Sequence, residues 1–169
     1  MQPSIVNDGI TLRLKTLFES NIERLSPIWF EFEPGNANQG HNPSEGKPFA
    51  VYTDLQEQLI YTPSIEISER TTKTEIFSIG TQEDRFEYEI ICTVDHNHPE
   101  NSKKYLQVFS KAIMDLLNEF GNRSYVIPGY DFKAYFSEAT DIDYGFRRGK
   151  GLKSSRINWY TKILKGNRF

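Results

Sequence analysis

Cysteine, histidine and long apolar runs are all scarce in this chain of 169 residues. The single cysteine, Cys92, leaves no internal disulfide and no multi-cysteine metal site, and it fits a reducing compartment. No apolar run nears the roughly 18 residues that a membrane-spanning helix needs, so no membrane partner is expected. Met1-Gln2-Pro3-Ser4 lacks a positive segment followed by an apolar one, and no signal peptide is expected either. Acidic residues are missing from Gly145 to Phe169, where Arg147, Arg148, Lys150, Lys153, Arg156, Lys162, Lys165 and Arg168 stand together. The rest of the chain carries the other 12 basic residues against all 23 acidic ones, a net charge of -11. A split of that size points to contact with a negative partner, either nucleic acid or an acidic protein surface, although a solvated basic tail would look the same.

Aromatic residues, by contrast, are plentiful at 14%, which argues against a disordered chain. The length suits one domain, residues 1–169, and apolar spacing divides it into elements. Ile10, Leu14, Leu17, Phe18, Ile22 and Leu25 recur every three or four residues and predict an amphipathic helix over Asp8–Leu25, with Pro27 marking its end. Ile28–Glu33 alternates as a half-buried strand does. Residues 34–48 hold three Pro, three Gly and three Asn, and read as a long loop inserted within the domain. Strands are expected at Phe49–Thr53, Ser64–Arg70 and near Thr74–Ile79. The clearest strand is Arg85–Asp95, with Phe86, Tyr88, Ile90, Cys92 and Val94 on one face and the carboxylates Glu87 and Glu89 on the other. Pro99–Phe120 reads as the strongest helix: Pro99 suits the first turn, and Tyr105, Leu106, Phe109, Ile113, Leu116, Leu117 and Phe120 make its buried stripe. Gly121 would cap it. Asp131–Tyr144 and Ser154–Leu164 then form an antiparallel hairpin joined by a loop of three glycines and three cations. The fold class expected is α+β: an antiparallel sheet with a long helix across it, an N-terminal helix and a C-terminal β-hairpin.

Chemistry finds little foothold. Asp95-His96-Asn97-His98 near Cys92 falls short of a zinc site, because Cys92 lies on the apolar face of its strand and His41 is in a distant loop. The Gly145–Gly151 loop lacks the P-loop spacing, puts Gly151 where a hydroxyl residue is required, and leads into a strand rather than a helix. There is no G-x-S-x-G elbow, and Asp141 and Asp143 at a two-residue spacing describe a solvated strand face. Asn122-Arg123-Ser124 matches a glycosylation sequon with nothing else to indicate secretion. No enzyme, cofactor or metal is expected.

The order of elements, with Ala139-Thr140-Asp141-Ile142-Asp143-Tyr144-Gly145 leading to Leu152-Lys153-Ser154-Ser155-Arg156-Ile157-Asn158-Trp159, resembles the tail terminator and tail-completion (neck) proteins of tailed bacteriophages. The resemblance covers roughly residues 49–164, and the loop at 34–48 departs from it. It implies a structural virion protein, assembled in the host cytoplasm, that forms a ring, expected to be a hexamer. Such a ring terminates the tail tube and joins it to the head-proximal connector, so the tail tube protein and the connector protein become expected partners, with DNA passing through the lumen. On that reading the contact residues between subunits or with partners are Arg147, Arg148, Lys150, Lys153 and Arg156, matched by Glu87 and Glu89. Two alternatives stay open: another neck or head-completion protein, and a nucleic-acid-binding module whose 145–156 hairpin contacts phosphates while Phe146, Trp159 and Tyr160 stack on bases.

Overall fold

The strand that carries the alternation most clearly also sits at the middle of the molecule. In a computed structural model, which describes residues 3–21, 24–25, 49–56, 62–78, 81–94, 99–119, 125–126, 133–145 and 153–166, the elements are α1 (Pro3–Ser20), β1 (Ala50–Tyr52), β2 (Ser64–Ser78), β3 (Thr81–Val94), α2 (Pro99–Glu119), β4 (Tyr125–Val126), β5 (Lys133–Asp143) and β6 (Lys153–Gly166). The six strands form one sheet in the order β1-β2-β3-β6-β5-β4. Neighbours pair antiparallel except β1, which runs parallel to β2 through Ala50–Ser64 and Tyr52–Glu66. The fold is α+β as expected, with a parallel pair at one border making the sheet mixed.

The helices lie on one face of this sheet. Phe86, Tyr88, Ile90, Cys92 and Val94 of β3 are all buried toward them, together with Ile65 and Ile67 of β2, Ile157, Trp159 and Ile163 of β6, and Ala139 of β5. From α1 come Val6, Ile10, Leu14 and Phe18; from α2 come Tyr105, Leu106, Phe109, Ile113, Leu116 and Leu117. Side chains at i, i+3 and i+4 share one helix face, so each helix offers the sheet a continuous apolar stripe. Phe109 is stacked on Tyr105 with ring centroids 5.9 Å apart and meets Phe49 edge-on at 6.0 Å. Two polar anchors fix the helices along the sheet. The Tyr88 hydroxyl donates to Asn7 Oδ1 at 2.6 Å, and Ala139 N donates to Asn118 Oδ1 at 2.8 Å.

Three boundaries differ from the sequence expectation. Helix α1 begins at Pro3 rather than Asp8, because Val6 extends the buried stripe by a turn, and it closes at Ser20, where Asn21 Nδ2 donates to the Leu17 carbonyl at 2.7 Å. A separate turn places Leu25 back in the core. The two strands expected at Ser64–Arg70 and Thr74–Ile79 are one strand, β2, carried through a bulge between Glu69 and Thr72. The strand expected at Ile28–Glu33, the 34–48 loop, and the proposed ends Phe120 and Gly121 lie outside the described residues.

Phe109, 1% exposed, is the knot of this packing. Replacing it with Ala removes a ring from a close-packed site and leaves a cavity, so denaturant unfolding should show a loss of about 3–5 kcal/mol. A loss below about 1 kcal/mol would mean that the layer between α2 and β3 is not packed as described.

Candidate functional site

The face of the sheet turned away from the helices carries most of the charge. The side chains that do not point into the core on β3 are Glu83, Arg85, Glu87, Glu89, Ile91 and Thr93, since strand residues alternate faces. Arg70 and Lys73 of β2 flank them on one side. Arg156, Asn158, Tyr160 and Lys162 of β6, then Glu138, Asp141 and Asp143 of β5, flank them on the other.

The expected row of carboxylates is present, but it is not an acidic patch. Glu89 Oε1 receives Arg70 Nη1 at 2.9 Å and Arg156 Nη1 at 3.4 Å, and Arg156 Nη2 reaches Asp143 Oδ2 at 3.0 Å. Glu87 Oε1 lies 3.2 Å from Lys73 Nζ and 3.0 Å from Arg85 Nε, while its Oε2 accepts from the Thr71 hydroxyl at 2.7 Å. Farther along, Lys162 Nζ sits 3.2 Å from Glu83 Oε1. Four strands thus contribute alternating charges to one lattice. The Arg85 guanidinium stacks 3.8 Å above the Tyr160 ring, a cation–π contact. The Tyr160 hydroxyl donates to Glu138 Oε2 at 2.7 Å.

The pKa directions follow from these contacts. The Thr71 hydroxyl, with help from Lys73 and Arg85, holds Glu87 below its ordinary value of 4.5. Hydrogen bonds from Thr140 and Asn158 hold Asp141 low. Burial, followed by the bond to Glu138, pushes the Tyr160 phenol up. On the opposite border Glu69 is raised by burial and by the charges of Asp8 and Asp54.

Of the residues singled out from the sequence, Glu87, Glu89 and Arg156 come together here, within one chain. Lys153 begins β6 and is exposed. Arg147, Arg148 and Lys150 lie outside the described residues, as do His41, His96 and His98. Asp141 and Asp143 do not act as a pair: the first is engaged by Asn158 and Thr140, the second by Arg156 and the Gly145 amide at 2.8 Å. Among the described residues no group of three His, Cys, Asp or Glu is placed to hold a metal ion, and no helix is long and apolar enough to cross a membrane.

Sequence reasoning missed two features. The first is the cationic half of the lattice, Arg70, Lys73 and Lys162, whose relation to β3 depends on strand order. The second lies under α2, where Ser110 and Ser155 are hydrogen-bonded to each other in full burial beside Cys92. Burial pushes the Cys92 thiol up to about 12 against the effect of those hydroxyls, so it is a structural group and not a nucleophile. Ser110 interrupts the apolar stripe of α2, and that interruption was the available signal.

A scan against protein-family models finds no matching family, and a search of curated proteins finds no match.

The depressed Glu87 carboxyl gives a pH signature. A group whose folded pKa lies below its unfolded value contributes stability that is complete above the unfolded value and is lost as pH falls through the folded one. The stability gap between the wild type and Glu87→Gln, read from denaturant midpoints, should therefore be full at pH 7 and close below about pH 4.5. A gap independent of pH would show that the lattice does not act on Glu87.

Proposed function

We propose that this chain is a structural subunit that closes into a ring, a hexamer on the family resemblance, which ends a phage tail tube and joins it to the head-proximal connector. The observation that carries this reading is the pair of unlike open borders on the sheet. β1 covers only Ser64–Glu66 of β2, and β4 covers only Lys133 and Ala134 of β5. Beyond those short strands no further strand among the described residues pairs with the outer edge of either, and the Asn118 side chain holds the β5 backbone at Ala139. A surface with two different attachment edges on opposite sides suits a heterologous, head-to-tail contact, which gives a ring where the rotation between copies closes and a filament where it does not. Long unpaired edges are otherwise an aggregation hazard that a monomer needs to cover.

The charge lattice supports the same reading. Its cations and carboxylates are matched within the subunit, so the described part of this face is poorly suited to neutralising a phosphate backbone. The alternative of a nucleic-acid-binding module then rests on the 145–152 loop. On the ring reading, DNA is a molecule passing through rather than the ligand.

Native mass spectrometry and electron microscopy at high protein concentration test the reading. The ring predicts a species of about 118 kDa, six times 19.7 kDa, with visible central holes. A strict monomer that binds DNA with a log–log salt slope of several units would overturn it in favour of the alternative.

A further inference from the structure

The helix side of the sheet carries two patches of opposite character, one toward each border. α1 lies over β1 and β2, while α2 lies over β3, β6 and β5. On the α1 side, Glu69 of β2 stands opposite Tyr88 and therefore points to the helix side. Burial and the charges of Asp8 and Asp54 hold the Glu69 carboxyl above its ordinary value, with no cation among the described residues to oppose them. Leu12 follows Asp8 by one helical turn, and Leu55 directly follows Asp54. Both leucines are exposed beside these three carboxylates.

On the α2 side, an open groove of about 500 Å³ runs between the helix and the end of β5. It is lined by Val108, Ala112 and Tyr144, with Gln107, Lys111 and Asp115. Val108 and Tyr144 are exposed. Lys104 precedes Val108 by one turn and stands in line with the groove, with Lys103 beside it. Lys111 is engaged by Asp115 at 2.8 Å, but neither Lys103 nor Lys104 pairs with a described carboxylate.

We infer, building on the ring reading above, that the groove between α2 and Tyr144 of one copy receives Leu12 and Leu55 of the next, with Asp8, Asp54 and Glu69 facing Lys103 and Lys104. Each patch lacks within its own chain what the other offers. The leucines lack an apolar cover, the three carboxylates lack cations, and the two lysines lack carboxylates. An apolar centre with a charged rim is the usual build of a protein contact, and the rim fixes its orientation. The two patches differ and lie toward opposite borders, so the contact is head-to-tail and brings the borders of neighbouring copies side by side.

The groove is held in shape from below. Asp143 pairs with Arg156, which puts Tyr144 level with Ser155, and the buried bond between Ser110 and Ser155 fixes α2 at that same level. Asn118 ties the next turns of α2 to Ala139 of β5. The polar interruption of the α2 stripe thus sets where the groove lies, and a groove formed in advance costs little ordering on binding.

Two variants at exposed helix positions test the joint, each bringing in a good helix former. Val108→Glu spoils the groove and leaves the leucine patch intact; Leu12→Lys spoils the patch and leaves the groove. Native mass spectrometry of each alone should show monomer, with the concentration needed for assembly raised about tenfold or more over wild type. Their equimolar mixture retains one sound joint and should give a heterodimer of about 39 kDa, twice 19.7 kDa, and no ring. Circular dichroism with thermal melting verifies that each variant is folded. Rings from either variant at wild-type concentrations would overturn the joint and leave the ring reading standing. A mixture that stays monomeric would show that these two patches do not meet, and would also overturn the joint alone. Failure of the wild-type chain to assemble at all would overturn both.

Discussion

Strand β3 has to satisfy two opposite environments at once, and the rest of the molecule is arranged around that demand. Its even-numbered residues from Phe86 to Val94 are apolar and need a cover, which α1 and α2 supply through their own apolar stripes. Its odd-numbered residues Glu83, Glu87 and Glu89 are carboxylates and need cations, which β2 and β6 supply from either side. Because the side-chain period of a strand is two, a slip of one residue would exchange the two sets and bury the carboxylates under the helices. The register of β3 against both neighbours is therefore specified twice, by burial on one face and by charge pairing on the other.

The two faces do different physical work. Burial beneath the helices is worth on the order of 25 cal/mol per Å² of apolar surface and holds the chain together. The ion pairs across the other face are partly exposed; Arg70 and Lys73 keep 51% and 66% of their side-chain surface. Pairs of that kind contribute about 0–1 kcal/mol each. Their value lies in matching: they leave the described part of this face nearly neutral. At the borders of the sheet β1 and β4 stop short of the strands they pair with.

Much of this was legible in the sequence because it depends on local periodicity. Helix α2, strand β3 and the β5–β6 hairpin each show a clean period, and each forms within a few residues of the expected limits. The failures have a common origin in contacts distant along the chain. Glu69–Thr74 carries no alternation, since residues there are exposed on both sides, and it stays in strand β2 because β3 pairs with it. The parallel pairing of β1 depends on how the chain returns after Tyr52, which no local pattern encodes. Glu87 and Glu89 could be placed on a common face, but their neutralisation could not, because it takes the strand order β2-β3-β6 to bring Arg70 and Arg156 to the same carboxylate. The charge asymmetry of the sequence thus overstated the acidity of the sheet, whose cations sit elsewhere in the chain and fold into place.

Amide hydrogen exchange, compared between dissociated and assembled protein, bears most directly on the claim that the sheet is finished at its centre and open at its borders. The account predicts that β3 amides are protected in both states, as is the Ala139 amide held by Asn118, while the other outer amides of β2 and β5 beyond β1 and β4 gain protection together on assembly. Assembly that protects α1 or α2 and leaves both borders exchanging freely would contradict it.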